Sequence, residues 1–399
     1  MIPRRTLAVG AAVALLLLWW ASGLDRSPVP ADRFFSQAEI ARAGAYRTPL
    51  YAATALRLTL DLGLLAVLAF TPAGAWLGRL RGSRWIRGAA LAIGAIVLLR
   101  FLVRLPISFW AGYVHEHSWG FSTQTVWGWL GDAGRSVGLA LAVSTPAYVG
   151  AVWAARRWPR RWPALLVPAT AALILLGSFV WPVVVEPLFN RFEPLRRPAA
   201  ERFEALAHRA GVPVDAVLVA DASRRTRKEN AYVSGFGGTK RLVLYDTLLR
   251  SVSPEEAEVV VAHELGHRRR GHVLRGTLVG AVAGAGAILL IALLARTRWL
   301  RRAGGATGPD DPRMLPALLL GISLLSLAAL PPSNLLSRSF EEEADRIALA
   351  LTRDRQAYEA AHRGLALRNL SDLDPGPVAF RFLATHPAAP ERIAYALEP

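Results

Sequence analysis

Val259-Val260-Val261-Ala262-His263-Glu264-Leu265-Gly266-His267 is the stretch on which the reading of this chain turns. Four residues along an α-helix correspond to about 40° of rotation, so His263 and His267 can present two imidazoles to one metal ion. Glu264, one step on, overhangs the coordination position that a catalytic metal leaves open for water. The local sequence supports a helix here. Ser253 followed by Pro254, Glu255 and Glu256 marks a helix start, and Val259 to Ala262 supply a buried face leading into the motif. Two satisfied core histidines are the plain alternative, and the flanking signals argue against it.

Around this motif the chain is too apolar for an ordinary soluble protein. Of its 399 residues 53% are hydrophobic, and the mean hydropathy is +0.30. It contains no cysteine, which excludes disulfides and any thiolate-ligated metal, so a metal site must use His and carboxylate. The charge of +17 raises the question of nucleic acid. The arginines cluster between hydrophobic runs, however, and read as anchors to lipid headgroups, so no nucleic-acid partner is expected.

Seven stretches approach the length needed to cross a bilayer: 6–24, 62–78, 85–103, 137–155, 163–185, 273–295 and 314–336, the third weakened by Arg87 and Arg100. The first, between Arg4-Arg5 and Ala21-Ser22-Gly23, also fits a signal peptide, but a retained span is favoured beside six others. The expected organisation is a membrane region over 1–185, an α/β segment over 186–272 containing the motif, a second membrane region over 273–336, and a helical segment over 337–399. An even number of crossings separates the two polar segments, which places them on one side of the membrane. Within the first, a helix is expected over 199–210 and short strands over 216–220, 231–234 and 241–245. Arginines at the opposite ends of the spans, such as Arg79, Arg81, Arg156 and Arg301, favour an extracytoplasmic active side. Arg191, Arg196 and Arg268 to Arg270, near the junctions of the polar segments, argue the other way, so the face stays open.

A third protein ligand has to come from outside the motif. His272 lies nine residues beyond His263, about 180° round a continuous helix, and so points away. Val273 stands where a metzincin would need histidine. The acidic run Glu341-Glu342-Glu343-Ala344-Asp345 supplies candidates, and helical periodicity separates them. Glu341 and Asp345 share a face with Ala344 and Ala348, small residues that permit close approach, whereas Glu342 and Glu343 rotate elsewhere. Glu341 is the expected ligand, and Asp345 the expected acceptor for a ligand histidine's other ring nitrogen. Taken alone, the cluster also fits a solvated face paired with Arg338 and Arg346.

The motifs resemble the integral-membrane gluzincins that include the type 1 CAAX prenyl endopeptidases and, more distantly, HtpX. The resemblance rests on Asn334 to Asp345, the loop Leu105 to Thr125, Pro187 to Leu195, Asn230 to Gly237 and Arg241 to Leu249, and it extends to His386. It departs at Arg268-Arg269-Arg270, where the group usually carries an aromatic and mixed residues. The resemblance implies a mainly α-helical multi-pass membrane fold of about seven transmembrane helices with a small α/β zincin-type (gluzincin) domain. It also implies one Zn2+ per chain on His263, His267 and Glu341, and it adds His386 as a candidate for stabilising the oxyanion. An edge strand containing Asn230, Ala231, Tyr232 and Gly235 would bind substrate as an added strand.

The chemistry expected is peptide hydrolysis with Glu264 as general base. The substrate would be a peptide or protein, hydrophobic or lipidated. A protease that degrades damaged membrane proteins, as HtpX does, and a non-catalytic membrane chaperone or scaffold are the alternatives. The aromatic residues Phe109, Trp110, Tyr113, Trp119, Phe121, Trp127 and Trp129 read either as an interfacial belt or as a hydrophobic entrance. His115 and His117 are too weakly patterned for a second metal site. The short loops and Ala/Arg-rich composition suggest a bacterial cell membrane.

Overall fold

Two of the long helices in this chain start where a polar side chain, Ser36 or Thr125, caps them. The computed structural model describes residues 29–82, 84–212, 214–234 and 241–397. In α1 (Gln37–Phe70) the Ser36 side chain accepts from the Glu39 N–H, and the Glu39 carboxylate accepts from the Ser36 N–H. Three more long helices follow: α2 (Trp85–Phe109), α3 (Val126–Arg157), capped by Thr125, and α4 (Trp162–Val180). The helices α2 and α4 each continue into a π-helical turn, Trp110–His115 and Trp181–Val185.

Between the membrane helices lies a small sheet. It comprises β1 (Phe192–Pro194), β2 (Ala216–Ala220), β3 (Ala231–Ser234) and β4 (Arg241–Tyr245) in the order β1-β2-β4-β3. The β2–β4 pair is parallel and the other two pairs are antiparallel, which leaves β3 on an edge. Three of these strands have the bounds read from sequence; β1, only three residues long, carries no periodicity to read. Two longer helices accompany the sheet, α5 (Ala199–Arg209) and α6 (Pro254–Arg270), which carries the motif, beside a short one at Asp246–Ser251. Phe203, Leu206, Leu242, Val261 and Leu265 share their core.

Ser253 and Glu256 form a reciprocal cap on α6, and Gly271, at φ +66°, ends it in the left-handed conformation that favours glycine. The chain then enters α7 (His272–Ala295) and later α8 (Leu315–Thr352). The helical segment expected over 337–399 thus opens not as a separate element but as the continuation of the seventh span, with Pro331 and Pro332 inside that helix. The helices α6 and α8 approach to backbone contact at Gly266. A Cβ there would lie 3.0 Å from Ala344 Cα and 3.1 Å from the Ala344 carbonyl oxygen. Then come α9 (Arg355–Arg368), a short helix at Pro377–Leu383, and α10 (Ala389–Tyr395), which seats on α8 and α9.

Among the described residues six helices are long and apolar enough to cross a membrane, covering 37–70, 85–118, 126–157, 162–189, 272–295 and 312–352. The span read over 6–24 lies outside the described residues. The one read over 62–78 is displaced, because α1 starts at Gln37 and 72–80 form a 3-10 helix. Asp61 stands directly before that apolar run. It lies inside α1, buried, and accepts two hydrogen bonds from Arg100 at 2.9 and 2.7 Å. The pair reconciles α2 with Arg100, one of the two charges that had weakened the reading of 85–103 as a span.

The loop before α3 docks on the sheet region. Ser122 pairs with Thr226, the Arg227 N–H donates to the Phe121 carbonyl at 2.8 Å, and Lys228 Nζ sits 2.7 Å from Glu116. Trp119 and Phe121 pack edge-on against Tyr46, while Phe109 and Tyr113 stack on each other beside Trp129. These rings therefore join α1, α2 and α3 by packing, and Trp127 stands apart, 81% exposed.

Candidate active site

One turn of α6 and one turn of α8 face each other across the Gly266 contact, and their polar side chains converge. His263 Nε2 and His267 Nε2 lie 3.0 Å apart. Glu341 brings Oε2 to 3.2 Å from His263 Nε2 and Oε1 to 3.2 Å from His267 Nε2. Three ligand atoms within 4.8 Å of one another suit a divalent ion bonded at about 2.0–2.2 Å to each. Glu341 is buried, with ring nitrogens of His263 and His267 each 3.2 Å from its carboxylate oxygens, so all three donors face one point. Nitrogen and carboxylate donors without sulfur suit zinc chemistry.

The supporting groups are also present. Asp345 Oδ1 lies 2.8 Å from His263 Nδ1 and so fixes which nitrogen of that ring faces the cluster. Burial alone would lower the pKa of His263, but the Asp345 carboxylate outweighs it and lifts the value to about 10. Asp345 is itself paired by Arg392, with Nε at 2.8 Å and an Nη at 2.6 Å. His362 stands behind, 3.6 Å from Asp345; burial, reinforced by the Arg392 charge, holds it well below its ordinary pKa and hence neutral. Neither Arg392 nor His362 was found from sequence. The signal available was indirect: a carboxylate expected to be buried, such as Asp345, requires a cation beside it.

Glu264 makes no ion pair with the imidazoles among the described residues. It lines a cavity of about 420 Å³ with His263, Asn230, Ala231, His386 and Arg392. Burial pushes its carboxyl above the usual range, against the pull of His263 and His267. His386 reaches in from the loop before α10, with Nδ1 2.7 Å from Glu341 Oε2.

Not every expected residue gathers here. Asn230 and Ala231 border the main cavity, and Asn230 Oδ1 accepts from the Ala231 N–H at 2.9 Å. The Tyr232 side chain instead donates to Glu186 at 3.1 Å and lines a smaller cavity of about 170 Å³ beside α4 and α7. Gly235 lies outside the described residues. His272 does not point away as a continuous helix would require, because the break at Gly271 turns it back to within 2.9 Å of His267.

A sequence profile described as CAAX prenyl protease N-terminal, five membrane helices, matches residues 24–191, and one described as Peptidase family M48 matches residues 196–399. The chain belongs to peptidase family M48. Among relatives of this M48 peptidase, the uncharacterized metalloprotease YhfN of Bacillus subtilis is 35% identical over 303 residues, covering 75% of this chain and 71% of that one. CAAX prenyl protease 1 of Saccharomyces cerevisiae is 28% identical over 319 residues, covering 75% and 70%. The crystal structure of Ste24p from S. mikatae superposes with a TM-score of 0.82 at 23% identity, covering 100% of both chains, and so shares the fold. This M48 peptidase is accordingly a multi-pass membrane metalloendopeptidase that acts on a peptide or protein with the help of a metal ion.

Proposed function

We propose that this M48 peptidase is a zinc endopeptidase that cleaves near the carboxyl terminus of hydrophobic or lipidated, CAAX-type substrates. The observation that carries the chemistry is the convergence of His263, His267 and Glu341 beside the half-buried Glu264. Support for the substrate class comes from relatives named CAAX prenyl protease 1 in yeast and rice. The bacterial relative, the short loops and the Ala/Arg-rich composition support a bacterial cell membrane as its location.

His263 and His267 would hold the ion through their imidazoles and Glu341 through its carboxylate. Zinc so bound would supply Lewis acidity to the scissile carbonyl and make a nearby water easier to deprotonate. Glu264 takes the proton of the attacking water on its carboxylate, whose raised pKa suits it to hold that proton. It then returns the proton to the departing amine. Asp345, backed by Arg392, keeps the His263 proton on Nδ1 and its lone pair on Nε2. His386, at the cavity edge, stabilises the negative charge that develops on the carbonyl oxygen.

The peptide runs along β3 as a further strand. The Asn230 carbonyl accepts from the Tyr245 N–H, so the alternation of an antiparallel pair turns the main-chain groups of Ala231 and Val233 away from β4. The Ala231 N–H is held by Asn230 Oδ1, and the Ala231 carbonyl and both main-chain groups of Val233 are left to meet substrate. Gly235, beyond the strand, would leave room for the peptide backbone.

Turnover of matched prenylated and unprenylated peptides by the zinc-loaded enzyme in proteoliposomes tests the reading, with the Glu264→Gln variant as control. Preferential cleavage of the prenylated peptide near its carboxyl terminus, absent in the variant, is expected. Equal cleavage of both peptides would remove the lipidated substrate, and cleavage by the variant at the wild-type rate would remove Glu264 as base.

A further inference from the structure

His272 is buried with both ring nitrogens engaged. Its Nδ1 lies 2.9 Å from His267 Nδ1, and its Nε2 lies 3.2 Å from Glu343 Oε2. The ring stacks on Phe340 with centroids 4.3 Å apart and planes 5° from parallel, which fixes its orientation. Glu343 is in turn held near Arg275 at 3.4 Å and Arg270 at 3.6 Å.

We infer that His272 is a positioning residue for the metal, acting through His267 as the middle member of a His267–His272–Glu343 chain. This rests on the reading of His267 as a metal ligand. Two facing Nδ1 atoms can hydrogen-bond only if one carries a proton and the other does not. With the His267 Nε2 lone pair directed to the ion, the proton of that ring is on Nδ1, so His267 donates to His272. The His272 proton then sits on Nε2 and is donated to Glu343. This arrangement satisfies every contact. Each metal-facing imidazole thereby has a carboxylate behind it: Asp345 touches His263 directly, whereas Glu343 reaches His267 through an intervening imidazole. The geometry depends on the left-handed Gly271, since an unbroken helix would carry His272 to the opposite side. It also gives Arg270, part of the departure from the related pattern, a place beside Glu343 at the far end of the chain.

The test uses the full-length protein and two substitutions with opposite consequences. Phe at position 272 keeps an aromatic ring against Phe340 but carries no nitrogen. Gln loses the ring, yet its amide can accept from His267 and donate to Glu343. Zinc affinity by chelator competition, and the visible absorption of the Co2+-loaded protein, report on the metal independently of turnover. His272→Phe is expected to lose about 10–100-fold in affinity and to shift the Co2+ bands. His272→Gln should recover most of that loss. Glu343→Gln should weaken binding in the parent protein and add nothing in the His272→Phe background. Wild-type affinity and spectrum in His272→Phe, with metal still lost from His267→Ala, would overturn the inference and leave the zinc site standing. A His272→Gln variant as impaired as His272→Phe would overturn it too. Unchanged metal binding in His267→Ala would instead bring down the ligand assignment and this inference with it.

Discussion

His263 connects two demands at the scale of single residues. As a proposed zinc ligand it needs Nε2 free for a metal, yet the Asp345 carboxylate behind it favours the protonated ring, lifting its pKa to about 10 before metal enters. Binding therefore has to expel a proton. Because the raised value lies above the assay range, the ring is protonated throughout neutral pH, and metal competes with one proton there. Apparent zinc affinity should rise with pH by about tenfold per unit from this group alone between pH 6 and 8. Chelator competition at several pH values checks this, and a flat profile would show that no such proton is displaced. The residues of the centre were legible because their chemistry dictates their spacing: two imidazoles one helical turn apart, and a carboxylate on the small-residue face of another helix. Arg392 was not legible, since nothing in its neighbourhood along the chain announces the buried Asp345 that it neutralises.

At the scale of elements, the centre depends on how closely α6 and α8 approach. Gly266→Ala places a methyl 3.0 Å from Ala344 Cα, so backbone has to move. A loss of about 1–3 kcal/mol is expected, read as a lower thermal midpoint together with weaker metal binding. An unchanged midpoint with full metal affinity would show the helices to be farther apart than described. The edge strand makes a separate prediction. Val233→Pro removes an outward N–H while sparing the bonds to β4, so KM for peptide should rise with kcat little changed. An unaltered KM would count against substrate addition on β3. Periodicity identified the strands and the facing helix surfaces, but it treated the chain from His263 to His272 as one helix. A single left-handed glycine reversed the direction of His272, and the Gly271-His272 pair was the available cue.

For the whole molecule, the membrane half and the sheet region form one connected body. Lys228, just before the cleft strand, pairs with Glu116 at the end of α2's continuation, and Tyr46 of α1 contacts both. Hydropathy located most of the spans, but it failed at Asp61 because a hydropathy sum cannot see that Arg100 neutralises it from a neighbouring helix. Asp61→Asn leaves Arg100 without its bidentate partner and should cost about 3–5 kcal/mol, visible as a lower thermal midpoint in detergent or lipid. A midpoint equal to the parent's would mean that the pair is dispensable. The central claim joins all three scales, since the proposed zinc is reached only if α6 and the far end of α8 are brought together by the packed membrane helices. Its most direct test is zinc content per chain, measured by elemental mass spectrometry on purified wild type, Glu264→Gln and Glu341→Ala. The account predicts one zinc in the first two and little in the third; a wild-type protein without zinc, or a full complement in Glu341→Ala, would contradict it.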